Sequence, residues 1–178
     1  TTNLDGTQRL NRALFLREMD MAIASAAFND HWIPFDQLGG PHLQLPQLIE
    51  SQPLQTPEDY EAYFSRLRGI PQLMNDCEEQ MKYGISYDLV PPRFVAEQVA
   101  AQMRRIGEYT MGSSPFSRPL RQDEAELGQY YPDLYSTLKQ ILEEDVHPAY
   151  LNMAAFIEQN WVPVARTEPG ILALPKGA

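Results

Sequence analysis

The side chains that could support chemistry are few in this sequence and lie far apart. The three histidines are His31, His42 and His147, and the single cysteine is Cys77. A zinc-peptidase motif of the type His-Glu-x-x-His needs a glutamate directly after a histidine, and none of the three histidines is followed by one. We therefore predict no metal site and no catalytic residue in this chain.

One pair has the spacing of a di-iron carboxylate site. Glu144 precedes His147 by three positions, which places a carboxylate and an imidazole on one face of a helix. Such a site needs the motif twice and two further glutamates, whereas phenylalanine and glycine stand three positions before the other two histidines. We interpret the pair as a solvated helix flank.

Patterns for other reaction classes are also missing. Ser113 and Ser114 lie in a loop without the Gly-x-Ser-x-Gly pattern of a hydrolase nucleophile. The glycine pair at Gly39 leads into a proline and not into the Gly-Lys-Ser/Thr of a phosphate-binding loop. Cys77 has no adjacent basic residue to activate it, so we predict a buried core thiol. The chain alone is predicted not to be an enzyme.

The stretch QLGGPHLQLPQLIE, residues 37–50, is the strongest candidate for a binding element. One interpretation is a tight structural corner, because glycine and proline serve turns far more often than ligands. The other is a loop that lines a cleft, which is favoured because the connection between two predicted helices is unusually long. The substrate-cleft candidates are Gly39, Gly40, Pro41, His42 and Gln44.

Length and composition limit the class of protein. A chain of 178 residues is the size of one domain. Its 14 basic and 24 acidic residues give a net charge of −10, which disfavours nucleic acids and anionic membranes as partners. No apolar run approaches the roughly 18 residues that span a bilayer, so we expect no transmembrane segment. A single cysteine excludes an internal disulfide and leaves the compartment open.

Apolar spacing predicts an all-α fold. Four segments show the 3.6-residue period of helices and none shows sustained strand-like alternation. We predict an irregular bundle of about four to six helices with long loops containing proline and glycine. The periodic segments are residues 7–28, 56–83, 92 to about 107, and 132–161. Pro71 and Pro148 should kink or interrupt the second and fourth of these helices.

Two features suggest a part of something larger. Apolar residues occupy most of the circumference of the first predicted helix, which implies neighbours on most sides. The C-terminal stretch EPGILALPKGA is apolar and too short to fold alone. We expect residues 1–178 to form a single helical domain, the N-terminal part of a longer protein cut near Ala178.

Five stretches, taken in order, resemble the N-terminal half of bacterial proteins grouped as the domain of unknown function 885. They are FNDHWIPFDQLGGPHLQLPQLIESQPLQTPEDYEAYFSRL, GISYDLVPPRFVAEQVAAQM, SSPFSRPL, VHPAYLNMAAFIEQ and GILALPKGA. The resemblance spans nearly the whole chain.

This resemblance implies a largely helical parent protein that is similar to zinc metallopeptidases. The family's metal-binding motif resembles His-Glu-x-x-Pro-Gly-His and lies downstream of the position of Ala178. The resemblance therefore implies zinc for the parent protein and no cofactor in this chain. It also favours the periplasm or a lipid anchor at the bacterial envelope, although the residues themselves leave the cytoplasm open.

Two functional hypotheses follow. The first is a non-catalytic helical segment of a zinc-dependent, peptidase-like protein, which packs on the C-terminal metal-binding region and helps to wall a cleft for a peptide substrate. The alternative is a free-standing helical module that binds a protein or a ligand. The first hypothesis allows the exposed apolar helix faces to pair in a dimer. The alternative predicts no large exposed apolar patch.

Overall fold

The computed structural model describes residues 4–121, 133–170 and 173. The chain divides into two compact units, Thr1–His31 and Trp32–Ala178. The described residues form helices without any named strand, and an isolated parallel β-bridge joins Pro92 to Arg166. The predicted all-α class is therefore confirmed.

The first unit contains helix α1, Gly6–Ser25, and a 3₁₀ turn, Ala26–Phe28. Asp5 caps α1, because its carboxylate accepts a hydrogen bond from the Gln8 amide at 2.8 Å and the Gln8 side chain accepts one from the Asp5 amide at 3.1 Å. The predicted helix over residues 7–28 is confirmed. No residue of α1 is buried.

The second unit begins with two helices that are joined by a short loop, α2 at Pro41–Glu50 and α3 at Pro57–Arg68. The start of α3 is fixed by local interactions, because Thr56 accepts a hydrogen bond from the Asp59 amide at 3.2 Å and a proline occupies the first turn. Helix α2 lies within the stretch expected to be an irregular connection, and that part of the prediction was wrong.

Two further helices follow, α4 at Ile70–Ser86 and α5 at Arg93–Gly107. The chain breaks between α3 and α4 at Gly69, as predicted, because the ring of Pro71 fits the first turn of a new helix and not the interior of a long one. Buried side chains recur at helical spacing along α4: Ile70, Met74, Cys77 and Met81.

The last helix, α6, runs without a break from Leu134 to Trp161 but is not regular. Its α-helical parts are Leu134–Ile141 and His147–Phe156, and each is followed by a π-helical turn. The first π turn, Leu142–Val146, directly precedes the part that has Pro148 in its first turn. The interruption expected at Pro148 is thus a widened turn. The start predicted at residue 132 lies outside the described residues.

The core of the second unit lies between α6 and helices α3, α4 and α5. Among its fully buried side chains are Tyr63, Phe64, Leu67, Met81, Val99, Met103, Leu138, Leu142, Tyr150 and Trp161. Phe116 fills the core from a 3₁₀ helix, Pro115–Arg121, and its carbonyl accepts a hydrogen bond from the Tyr63 hydroxyl at 2.7 Å.

Arg166 attaches the chain after α6 to the segment before α5. Its amide donates to the Pro91 carbonyl at 3.1 Å, its carbonyl accepts from the Arg93 amide at 2.9 Å, and its Nε donates to the Val90 carbonyl at 3.0 Å.

Among the described helices, none combines the length and the apolar character that crossing a bilayer would take.

Candidate functional site

The residues that precede α2 form a closed, hydrogen-bonded turn. The Asp36 carboxylate accepts hydrogen bonds from the amides of Leu38 at 2.7 Å and Gly39 at 2.8 Å. The Asp36 amide in turn donates to the Gly39 carbonyl at 3.2 Å. A side chain that hydrogen-bonds its own backbone in this way holds a turn without help from a ligand.

Gly40 is required where the turn meets α2. Its φ angle is +108°, a conformation that residues with a side chain rarely adopt. A Cβ atom at this position would lie 2.7 Å from the carbonyl oxygen of Pro34. Pro41 then starts the helix, because its fixed φ suits the first turn and its missing amide proton is not needed there. The glycine and the proline therefore build the corner.

His42 points into the protein and has no exposed surface. Its Nε2 lies 2.9 Å from Oε1 of Gln102, and Nε2 of Gln102 donates to the Gln37 carbonyl at 3.0 Å. Because the Gln102 amide group is oriented by its bond to Gln37, Nε2 of His42 must be the donor. The ring of Phe35 packs edge-on against the imidazole, at a centroid distance of 5.4 Å.

The electrostatics of His42 favour a neutral ring. Burial lowers the pKa of His42 below its ordinary value. The hydrogen bond to Gln102 and the negative charge of Asp36 both act to raise this pKa, but burial is the larger effect. Its Nδ1 has no hydrogen-bond partner among the described residues. The imidazole thus joins α2 to α5 through Gln102, and in this arrangement it is not accessible to a substrate.

A second polar contact secures the same turn of α2. Pro46 lies inside the helix and has no amide proton, so the carbonyl of His42, four residues earlier, cannot receive its usual helical hydrogen bond. The buried Tyr150 hydroxyl donates to this carbonyl at 3.2 Å. The side chain from α6 thus supplies the hydrogen bond that the proline removes.

Gln44 is the cleft candidate whose side chain is exposed on α2. It lines an open depression of about 320 Å³ together with Gln47, Leu48 and Ser51. The five predicted cleft residues therefore have different positions in the structure. Gly39, Gly40 and Pro41 shape the backbone and His42 lies beneath it, whereas Gln44 faces a cavity.

Glu144 and His147 have different surroundings. Glu144 accepts a hydrogen bond from Gln140 at 2.9 Å and lines a cavity of about 230 Å³ between α4 and α6 that does not include His147. Burial lowers the pKa of His147, and the nearby charge of Glu143 opposes this shift. Within residues 4–121, 133–170 and 173, no group of three or more histidine, cysteine or carboxylate side chains could hold a metal ion. The described residues therefore do not fit a zinc site.

Three residues that support α2 from distant parts of the chain were not predicted. Gln102 and Tyr150 contact its first turn at His42. The Arg118 guanidinium donates to the carbonyls of Ile49 at 3.2 Å and Gln52 at 2.7 Å at the other end of the helix. A usable signal was Pro46, because a proline inside a helix leaves a carbonyl that needs another donor. The sequence gives no indication of which residue supplies that donor.

The chain matches one protein family and is similar to a solved structure. Residues 1–178 match the family described as "Bacterial protein of unknown function (DUF885)". The chain is similar to the solved structure of "the putative lipoprotein from Colwellia psychrerythraea", with a TM-score of 0.73 and 22% sequence identity. This likeness covers 81% of the chain but 26% of that protein's chain, so the chain spans about a quarter of its length. No curated protein sequence matches the chain.

Proposed function

Because the chain belongs to the bacterial DUF885 family, we propose that it is a non-catalytic helical segment of a larger, zinc-dependent, peptidase-like protein. In this proposal the segment packs on the metal-binding region of the parent protein and helps to wall its substrate cleft. Zinc would be held outside the described residues, because they offer no suitable group of ligands. When bound there, zinc would polarise a water molecule, and in this proposal no step of that chemistry falls to this chain.

The observation that carries the proposal is the apolar surface of the first unit. Eight large apolar side chains of α1 and its 3₁₀ turn are exposed by 41% or more: Leu10, Leu14, Phe15, Leu16, Met19, Met21, Ile23 and Phe28. Apolar side chains at this density are normally covered by protein. They support packing on a further part of the parent protein and disfavour a free-standing module.

The solved relative is consistent with this role. Its chain contains the fold as about a quarter of its length, so a helical unit of this kind occurs within a much longer polypeptide. That protein carries the description "putative lipoprotein". By analogy, we propose that the parent of this chain is located at the bacterial envelope.

The corner before α2 has a specific part in the proposal. The turn around Asp36 and the buried His42 fix the backbone, and Gln44 is the member of the set that is exposed to a cavity. We propose that Gln44 contacts substrate at the cleft wall, while Gly39, Gly40, Pro41 and His42 position the backbone that carries it.

The test compares the chain alone with the same chain continued by the coding sequence downstream of Ala178. Zinc content is measured by mass spectrometry after dialysis, and peptide hydrolysis with a mixed fluorogenic peptide library. We expect stoichiometric zinc and hydrolysis only for the longer protein. Zinc and hydrolysis in the chain alone would contradict the proposal. A native reading frame that stops at Ala178 would favour the free-standing module instead.

A second comparison isolates the cleft wall. In the longer protein, Gln44→Ala should raise the KM for peptides and leave the zinc content unchanged, because the exposed amide is removed without disturbing the fold. Gln55→Ala, an exposed glutamine in the loop between α2 and α3, is the matched control. Equal kinetics for both variants and the unaltered protein would remove Gln44 from the cleft.

A further inference from the structure

Helix α2 begins with little local support. Its N-cap residue is Gly40, which has no side chain to bond the first turn, and Pro46 removes one hydrogen bond inside the helix. The amides of Leu43 and Gln44 both donate to the Gly40 carbonyl, at 3.2 and 3.1 Å. A helix of ten residues is marginal by itself. The first turn of α2 therefore depends on contacts with other elements.

His42 makes one of these contacts from inside the turn. Its buried imidazole donates from Nε2 to Oε1 of Gln102 on α5, at 2.9 Å. The same Gln102 amide group donates to the Gln37 carbonyl in the corner before α2, at 3.0 Å. One side chain of α5 thus holds both the corner and the start of α2, and it does so through a histidine that carries its proton on Nε2.

The other ring nitrogen of His42 is the atom that a second proton would bind. Nδ1 is buried and has no hydrogen-bond partner among the described residues. In the neutral ring it is an acceptor that lacks a donor. Protonation would make it a charged donor without an acceptor, which is more costly at a buried position. The closed arrangement therefore suits the neutral ring and disfavours the imidazolium.

The elements that pack against the start of α2 bring little charge to His42. In the corner, the charge of Asp36 acts on the ring, but this residue is exposed and its Oδ1 accepts from two corner amides. Helix α5 contributes the neutral Gln102. Helix α6 contributes Tyr150, which stays protonated because burial raises its pKa. From the 3₁₀ helix, Arg118 is held at the opposite end of α2.

We propose that His42 and Gln102 form an acid-sensitive switch, in which protonation of the imidazole breaks its contact with Gln102 and opens the corner and the first turn of α2, while the core between α3 and α6 stays folded. In the open state water solvates the imidazolium, so this state binds the proton more readily than the closed one. Opening is therefore favoured as the pH falls below the ordinary pKa of 6.5 and suppressed above it.

The opening would displace Gln44. Its amide belongs to the first turn of α2, so its side chain loses a fixed position when that turn opens. The cleft wall would then be ordered near neutral pH and released in acid, a consequence that rests on the proposed function. The opening itself does not depend on that function and is tested on the chain alone.

Hydrogen exchange of the chain, measured by mass spectrometry at low protein concentration, tests the opening. Electron-transfer fragmentation resolves the amides of residues 43–45, and dividing by intrinsic rates at each pH gives protection factors. We expect these amides to be at least about tenfold less protected at pH 5.0 than the buried turns of α5, because they open without global unfolding. Between pH 7.5 and 5.0 their protection should fall by about three- to thirtyfold, thirtyfold being the limit for an open-state pKa of about 6.5.

Two histidine variants assign the effect. His42→Gln keeps a side-chain amide without a titrating group, so the protection of residues 43–45 should no longer change over this range. His147→Gln removes the other histidine whose pKa is lowered by burial and should leave the acid effect on α2 unchanged. Circular dichroism checks that each variant is folded.

A change at Gln102 keeps the switch testable if His42→Gln does not fold. Gln102→Glu places a carboxylate beside Nε2 of His42 and so favours the imidazolium in the closed state. The fall in protection at pH 5.0 should then shrink or reverse. Gln98→Glu adds the same charge one turn earlier on α5, at an exposed position, and should leave the fall unchanged.

Three results would overturn the switch. They are protection of residues 43–45 equal to that of α5, protection that does not fall between pH 7.5 and 5.0, and a fall that persists in His42→Gln or is the same in Gln102→Glu as in Gln98→Glu. None of these measurements involves zinc or hydrolysis, so failure of the switch and failure of the proposed function are distinguishable.

Discussion

At the scale of single residues, the polar side chains buried around α2 have structural roles. His42 donates to Gln102, and Tyr150 donates to the carbonyl of His42. Each bond joins residues far apart in sequence, with separations of 60 and 108 positions. A histidine that follows two glycines and a proline can suggest a binding loop, but here the ring is buried and helps to fix a helix start.

The first prediction concerns pH and His42. Its pKa is lowered in the folded protein from the ordinary 6.5 by burial. The unfolded chain therefore binds the proton more readily than the folded protein. The stability that the neutral His42 ring contributes is fully present above pH 6.5 and is lost as the pH falls from 6.5 through the lower pKa of the folded state. We expect urea unfolding to show lower stability at about pH 5 than at about pH 7.5.

The variant His42→Gln removes the titrating group and should reduce this pH dependence. The control Gln55→Ala, at an exposed position, removes no titrating group and should leave the dependence as it is. Equal slopes of unfolding free energy against pH in both variants would show that His42 does not contribute. His147, whose pKa burial also lowers, should contribute to the dependence that remains in His42→Gln.

The second prediction concerns the carbonyl that Pro46 leaves free. Tyr150→Phe should lower the unfolding free energy by about 1–3 kcal/mol, because a buried carbonyl loses its donor. With Pro46→Ala in the background, residue 46 regains an amide proton that can reach this carbonyl, so the cost should be smaller. Tyr135→Phe, at a tyrosine that is 57% exposed, is the control. Additive effects of Tyr150→Phe and Pro46→Ala would contradict this explanation.

At the scale of elements, local signals predicted some helices and concealed one. Thr56 and Pro57 mark the start of α3 by capping and by ring geometry, both of which act within four residues. Helix α2 has a glycine before it and Pro46 inside it, which are signals of a loop. Its helical conformation is supported by Tyr150 and Arg118, which no local pattern places beside it.

The third prediction tests the start of α2. Gly40→Ala should destabilise the protein by about 1–3 kcal/mol or more, because the added methyl group meets the Pro34 carbonyl at 2.7 Å and the φ angle of +108° is unfavourable for alanine. Gly112→Ala is the control, since nothing lies within 4 Å of the added atom there. Thermal unfolding measures both variants, and equal midpoints would refute the requirement for glycine.

At the scale of the whole molecule, the exposed side chains of α1 determine how the chain behaves alone. Leu14, Phe15 and Ile23 are exposed by 51%, 62% and 73%. They lie on different sides of the helix, so one partner surface on one side would not cover them all. In the longer protein that we propose, more than one neighbouring surface would therefore cover this helix.

The fourth prediction is that the chain by itself associates through these side chains. Light scattering with size-exclusion chromatography should show a mass that rises with concentration, because exposed apolar surface is buried on association. The triple variant Leu14→Gln, Phe15→Gln and Ile23→Gln should remain monomeric. The control set places glutamine at three exposed polar positions of α4, as Asn75→Gln, Asp76→Gln and Glu79→Gln. A monomer at all concentrations without substitution would contradict the prediction.

The candidate site could be predicted only in part at this scale. The sequence identified the segment that contains Gly40, His42 and Gln44, since glycine and proline stand out locally. It did not identify which side chains face inward, because this depends on Gln102 and Tyr150 from distant helices.

The π-helical turn at Leu142–Val146 has a consequence for comparing relatives. A π turn closes its hydrogen bonds one residue later than an α turn and so accommodates about one additional residue. A homologue with a regular helix here would lack that residue and still place Leu138 and Tyr150 on equivalent sides. Its alignment would carry a one-residue gap in the middle of a continuous helix, at a position where gaps are normally taken as errors.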